Sequence, residues 1–173
     1  TGTEHAFLTT SATTALSLCL KLLDVGPGDE VIVADFSFPA SANVVEDLGA
    51  TTVFADVSAA TYNMCPDAME AAITPRTRAV MFVDALGNPS GLTEIARRCA
   101  THSLPLIEDA ACAFGSKVGG LACGNIADMT CFSFHPRKLV TTGEGGALVV
   151  RDQAQATWLE RRLNHGAVAA DGA

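Results

Sequence analysis

Lysine is scarce in this chain: Lys21, Lys117 and Lys138 are the only three in 173 residues. Basic residues as a whole are outnumbered, 11 against 19 acids, for a formal net charge of −8. That balance excludes a nucleic-acid backbone binder, which needs a basic face. No apolar run reaches bilayer-spanning length and no basic-then-apolar leader opens the chain, so it reads as soluble, with no membrane partner. Internal repeats, low-complexity tracts and linkers are missing too. None of the six cysteines forms a C-x-x-C pair, so no metal-ligand spacing is visible. Cys19, Cys99 and Cys131 fall inside apolar-periodic segments, and buried free thiols in a reducing cytoplasm are the expectation.

What is present is a globular composition, 49% hydrophobic and 17% charged, enough to bury one core in a single domain over residues 1–173. The chain opens at Thr1 without methionine and stops in "GAVAADGA", so both ends read as cut. Short apolar runs predict strands at Ala6–Leu8, Val31–Ala34, Thr51–Ala55, Ala79–Val83, Leu104–Ile107, Met129–Phe134 and Ala147–Val150. Between them, spacings of three and four predict helices through Leu16, Cys19, Leu20 and Leu23, and through Leu92, Ile95, Ala96 and Cys99. Ser37 with Pro39 predicts a third, near Pro39–Leu48. Alternation of this kind makes an α/β fold with a mostly parallel sheet covered on both faces. Ligands of such sheets bind beyond the carboxyl ends of the strands. Asp35, Asp56, Asp84, Asp109 and Ser133 stand at such ends, so the site is expected from that set.

Three stretches could carry chemistry. "LTTSATTAL" (8–16) runs from a strand into a helix, with Ser11 and Thr13 at an entrance whose free N–H groups attract an anion. Taken alone, a helix cap is their commoner role. "LPLIEDAACAFG" (104–115) puts Asp109 after an apolar strand, where a carboxylate can hold a cationic ligand group. Position does not separate it from Asp35, Asp56 or Asp84. "FSFHPRKLVTTGEGGA" (132–147) carries Lys138 beside Arg137, ahead of a glycine turn into the last strand. A covalently acting amine must be partly neutral, and a neighbouring cation with partial burial pushes that way. A phosphate site, a carboxylate for a cationic ring and an amine for an aldehyde together suit pyridoxal phosphate.

The chain also resembles the DegT/StrS-type sugar aminotransferases, within the fold type I pyridoxal-phosphate enzymes. The likeness rests on "LLDVGPGDEVIVADFSFPASANVV", "GATTVFADV", "AAITPRTRAV", "PLIEDAACAFGS", "FSFHPRKLVTTGEGGALVV" and "LNHGA", in the family's order and spacing. It implies the large domain of that fold: a three-layer αβα sandwich with a mostly parallel mixed sheet. The family's C-terminal small domain would lie beyond this chain, since members are roughly twice as long. By resemblance, Lys138 is the Schiff-base lysine and Asp109 the partner of the pyridinium nitrogen. Ser11, Ala12, Thr13 and Ser133 would hold the phosphate, Phe38 would stack on the ring, and Cys112 would meet its edge. No metal is implied. Three positions depart from the family: Ala12 replaces a glycine, Cys112 a glutamine or histidine, and Asp84 a frequent histidine.

The resemblance implies amino transfer from glutamate or glutamine to a keto sugar, nucleotide-linked, in a cytoplasmic homodimer. Two other readings stand beside it. One is a sugar dehydratase on the same scaffold, whose relatives can lack the lysine that is present here. The other is a fragment that folds, or binds the cofactor weakly, without turnover. Little transaminase activity is expected of the 173 residues alone.

Overall fold

The computed structural model describes residues 1–167; the final stretch, 168–173, which includes most of the "GAVAADGA" tail, lies outside the described residues. The chain runs β1 (His5–Thr9), α1 (Ala12–Leu22), β2 (Glu30–Ala34), α2 (Ala40–Glu46), β3 (Thr51–Ala55), α3 (Pro66–Ala71) and β4 (Thr77–Val83). A short 3₁₀ turn (Ala85–Gly87) leads to α4 (Leu92–Thr101) and β5 (Leu106–Asp109). A hairpin of β6 (Lys117–Val118) and β7 (Leu121–Ala122) follows, then β8 (Met129–Ser133), β9 (Gly146–Val150) and α5 (Gln153–Leu163).

Seven strands form one sheet in the order β1-β9-β8-β5-β4-β2-β3. The pairs from β8 through β5, β4 and β2 to β3 are parallel, whereas β9 runs antiparallel to both β8 and β1. The fold is therefore the mixed, mostly parallel α/β sheet that the sequence implied. Central strands are apolar at nearly every position because both faces are covered. On β2, Val31 and Val33 pack on one side with Leu16 and Leu20 of α1, Val45 of α2 and Leu159 of α5. Ile32 and Ala34 face the other way, onto Met69 of α3 and Leu92 and Ile95 of α4. This period-two division makes three layers. Each large side chain removed from water in this way contributes about 1.5–3 kcal/mol.

All seven expected strands are present, with edges moved by physical causes. β5 starts and ends two residues later than the apolar run suggested. Pro105 has no N–H to give the ladder, while Glu108 and Asp109 pair in register with Phe82 and Val83 of β4. Two acids thus sit inside a central strand, fully buried or nearly so. α2 is shorter than expected: Pro39 precedes it and makes no side-chain cap. Ser37 does not cap it either; its hydroxyl donates to the Phe38 carbonyl and to Ser41 Oγ. The β6–β7 hairpin and α3 were not anticipated. The hairpin turns on Gly119 and Gly120, both at positive φ, the diglycine signal of a tight turn. All six cysteines are free thiols, with Cys19, Cys99, Cys123 and Cys131 buried. No helix among the described residues is long and apolar enough to cross a membrane.

Candidate active site

Sheet register gathers the site. Thr9 at the end of β1 and Ser133 at the end of β8 are both level with Gly146, the first residue of β9. Asp109 closes β5 beside Cys131 of β8, two residues back from Ser133. The start of α1, the end of β5 and the end of β8 therefore share one edge of the sheet. A cleft of about 370 Å³ opens there, within the range that takes a small ligand.

At its floor lies Asp109, 6% exposed. Its Oδ2 accepts from the Ser41 hydroxyl at 2.8 Å and its Oδ1 from the Ala111 N–H at 3.2 Å. Ser41 is itself fully buried and accepts from Ser37 Oγ at 2.6 Å. Burial pushes the Asp109 carboxyl above its ordinary 3.8, while the Ser41 and Ala111 hydrogen bonds and the positive charge of Lys138 pull it back down. A buried carboxylate held this way is completed by a cationic partner.

Lys138 lies in the turn after β8, half-buried, its N–H donating to the His135 carbonyl. Its Nζ reaches Cys112 Sγ at 3.2 Å. On the opposite wall, Ser11 caps α1: its Oγ accepts from the Thr14 N–H at 3.1 Å. The N–H groups of Ala12 and Thr13, in the first turn of the helix, have no carbonyl of their own helix to bond. β9 comes close beneath this turn because residue 146 is glycine. A Cβ there would stand 2.5 Å from the Ser11 carbonyl carbon and 2.6 Å from the Ala12 nitrogen. Gly146→Ala is therefore expected to push the start of α1 outward. The cost is about 1–3 kcal/mol of stability by overpacking, together with weakened anion binding. Urea unfolding and phosphate competition would check both; an unchanged protein would mean that the close approach carries no weight.

Seven of the eight residues singled out in the sequence line this one cleft: Ser11, Ala12, Thr13, Phe38, Asp109, Ser133 and Lys138. Cys112 is exposed at its margin, tied to it through Lys138. Phe38 is 70% exposed, so it is a free wall of the cleft and not core. Of the polar strand ends, only Asp109 and Ser133 belong here. Asp35 and Asp56 are exposed at the end of the sheet formed by β2 and β3, and Asp84 is buried elsewhere. Sequence reasoning missed Ser41, His135 and Glu144, the last two being cleft residues. Ser41 was detectable in principle, since Ser37 and Ser41 are four apart at a helix start.

The chain is 44% identical over 164 residues to 3-amino-5-hydroxybenzoate synthase of Amycolatopsis mediterranei, matching 95% of this chain and 42% of that protein. It is 41% identical to dTDP-4-dehydro-2,3,6-trideoxy-D-glucose 4-aminotransferase of Saccharopolyspora spinosa, over 94% of this chain and 42% of that one. The crystal structure of a DegT DnrJ EryC1 StrS aminotransferase from Brucella abortus superposes with a TM-score of 0.92 at 34% identity, covering 99% of this chain and 48% of that chain. The chain thus spans less than half the length of these relatives. The family and its solved structures are pyridoxal-phosphate-dependent aminotransferases. With its family model matched over residues 1–172, this chain belongs to the DegT/DnrJ/EryC1/StrS aminotransferase family.

Proposed function

We propose that the protein moves an amino group from glutamate or glutamine to the ring ketone of a nucleotide-linked sugar, using pyridoxal phosphate. One observation carries the reading: a buried carboxylate, Asp109, and an amine, Lys138, converge on a single cleft bounded by the open first turn of α1. That donor set fits the cofactor. The Ala12 and Thr13 N–H groups, with the Ser11, Thr13 and Ser133 hydroxyls, would take the phosphate. Asp109 would bond the ring nitrogen, Phe38 would cover one face, and Cys112 would meet the edge. When bound, the cofactor supplies an electron sink for a carbanion at the amino-bearing carbon.

The chain's own groups do the rest. Asp109, dry and oriented by Ser41, would keep a proton on the ring nitrogen. Lys138 Nζ would anchor the aldehyde carbon. Once free, the same Nζ would be the base that takes the proton from the amino-bearing carbon of the substrate and returns it, across the intervening nitrogen, at the aldehyde carbon. The acceptor named for the Saccharopolyspora spinosa relative supports a 4-keto nucleotide sugar. Free buried thiols support a reducing, cytoplasmic setting. Leu139, next to Lys138 and 83% exposed, supports a covering second subunit, as in a homodimer.

The test separates donor from acceptor. Loaded with pyridoxal phosphate and given L-glutamate or L-glutamine, a full-length protein that carries this chain should release one equivalent of 2-oxo acid per site, whereas residues 1–173 alone should turn over little. Multiple turnovers should follow only when a dTDP-linked 4-keto sugar is added, and a carbocyclic ketone serves as the comparison acceptor. No first equivalent from either donor would overturn the aminotransferase reading. A first equivalent followed by turnover on the carbocycle alone would overturn the sugar.

A further inference from the structure

Directly behind Asp109, outside the cleft, three buried groups meet. One donor atom from each of Asp84, Glu108 and Cys123 lies within 4.8 Å of the other two. They are 1%, 0% and 2% exposed. Neither acid takes part in an ion pair among the described residues. Both oxygens of Asp84 and Oε1 of Glu108 lack any hydrogen-bond partner. The other Glu108 oxygen is fully used: Oε2 accepts from the Thr130 hydroxyl at 2.7 Å and from the Gly124 N–H at 3.1 Å. Those two donors orient the carboxylate and leave Oε1 to the cluster, as outer partners of metal-binding carboxylates do.

A buried carboxylate oxygen without a partner is among the costlier features a core can hold. Three unpartnered oxygens in one spot, with a thiol beside them, call for a positive occupant. A proton bridging Asp84 and Glu108 serves one oxygen of each and leaves the second Asp84 oxygen only the Cys123 S–H, a weak donor. A divalent ion takes an atom from all three groups at once. Two carboxylates and a thiolate, with both Asp84 oxygens free to ligate, suit a borderline-soft ion such as zinc.

We propose that Asp84, Glu108 and Cys123 bind a zinc-type divalent cation that pins the end of β4, strand β5 and the end of the β6–β7 hairpin together. The role is structural, because the cluster is closed to solvent. Its effect on the cleft runs through the backbone, since Glu108 directly precedes Asp109. Chain spacing carries no sign of the site, as Asp84 directly follows β4, Glu108 lies in β5 and Cys123 directly follows β7.

Metal content tests the proposal. Protein purified in reducing buffer without chelator should retain one zinc per chain by elemental analysis. Cys123→Ala and Asp84→Asn should each fall to the buffer background, while Cys65→Ala should not. Cobalt(II) exchanged into the protein should give a near-ultraviolet thiolate band that Cys123→Ala removes. Should the variants fold poorly, the wild type decides alone: stripping with chelator should lower its melting temperature, and zinc should restore it. A wild type without zinc, without a Cys123-dependent cobalt band and with an unchanged melting temperature in chelator overturns the proposal. The cluster then belongs to a proton on Asp84, whose carboxyl burial and the adjacent Glu108 push up to about 8.

Discussion

Lys138→Ala is expected to abolish covalent capture of pyridoxal phosphate. Mixed with the cofactor and reduced with borohydride, the wild-type chain should carry the label on the peptide containing Lys138 and nowhere else. Lys21 and Lys117 are exposed and lie outside the cleft lining, so nothing holds an aldehyde against them. The variant should be unlabelled, and amino transfer should fall by more than the roughly 10²–10⁴-fold that a positioned general base supplies, because the anchoring bond goes as well. Stability should change little. The side chain is half-buried at the cleft wall and its one hydrogen bond among the described residues is to the Cys112 sulfur. Lys138→Arg should fail in the same way, since a guanidinium keeps the charge but offers no neutral amine. Label spread over Lys21 and Lys117, or surviving in Lys138→Ala, would remove Lys138 from the proposed role.

Asp109→Asn separates function from folding. Cofactor affinity and turnover should drop by orders of magnitude, because an amide cannot hold a proton on the ring nitrogen by charge. Stability without cofactor should hold or rise, and the pH dependence gives the sign. Burial puts the folded-state carboxyl above its ordinary 3.8. Between 3.8 and that higher folded value, the unfolded chain has released the proton and the folded chain retains it. Protein stability therefore falls as pH rises through this window and levels off above it. The substituted amide has no proton to release, so urea unfolding across the window should show a shallower decline in the variant, and the difference isolates this one group. Ser41→Ala should go the other way: the carboxylate loses its 2.8 Å donor, its pKa climbs further, and cofactor binding weakens without being lost. An Asp109→Asn protein that binds and turns over normally would show that the ring nitrogen needs no carboxylate here.

Much of this site was legible in the chain because its parts are local. A serine at a helix start, an acid after an apolar run and a rare lysine before a glycine turn each depend on neighbours a few residues away. Ranking the candidates was another matter. Asp35, Asp56, Asp84 and Asp109 looked equivalent; strand order set Asp35 and Asp56 apart, and burial against Glu108 and Cys123 set Asp84 apart. β5 lies beside β8, whereas β2 and β3 lie at the far end of the sheet. Ser41 escaped notice because its importance comes from a residue 68 positions away. Phe38 entered the sequence reading only through the resemblance, and its exposure is what makes it a wall of the cleft.

The sequence by itself determined the layered α/β class, the approximate place of seven strands and the family, because periodicity and short motifs are properties of adjacent residues. Tertiary structure alone decided which strand ends meet, that Gly146 must be glycine for α1 to come close, and that two acids belong inside β5. It also decided that Asp84, Glu108 and Cys123 share one buried spot. Those outcomes depend on strand order, register and solvent exclusion. Each is set by contacts between residues far apart in the chain, and none leaves a local pattern to read.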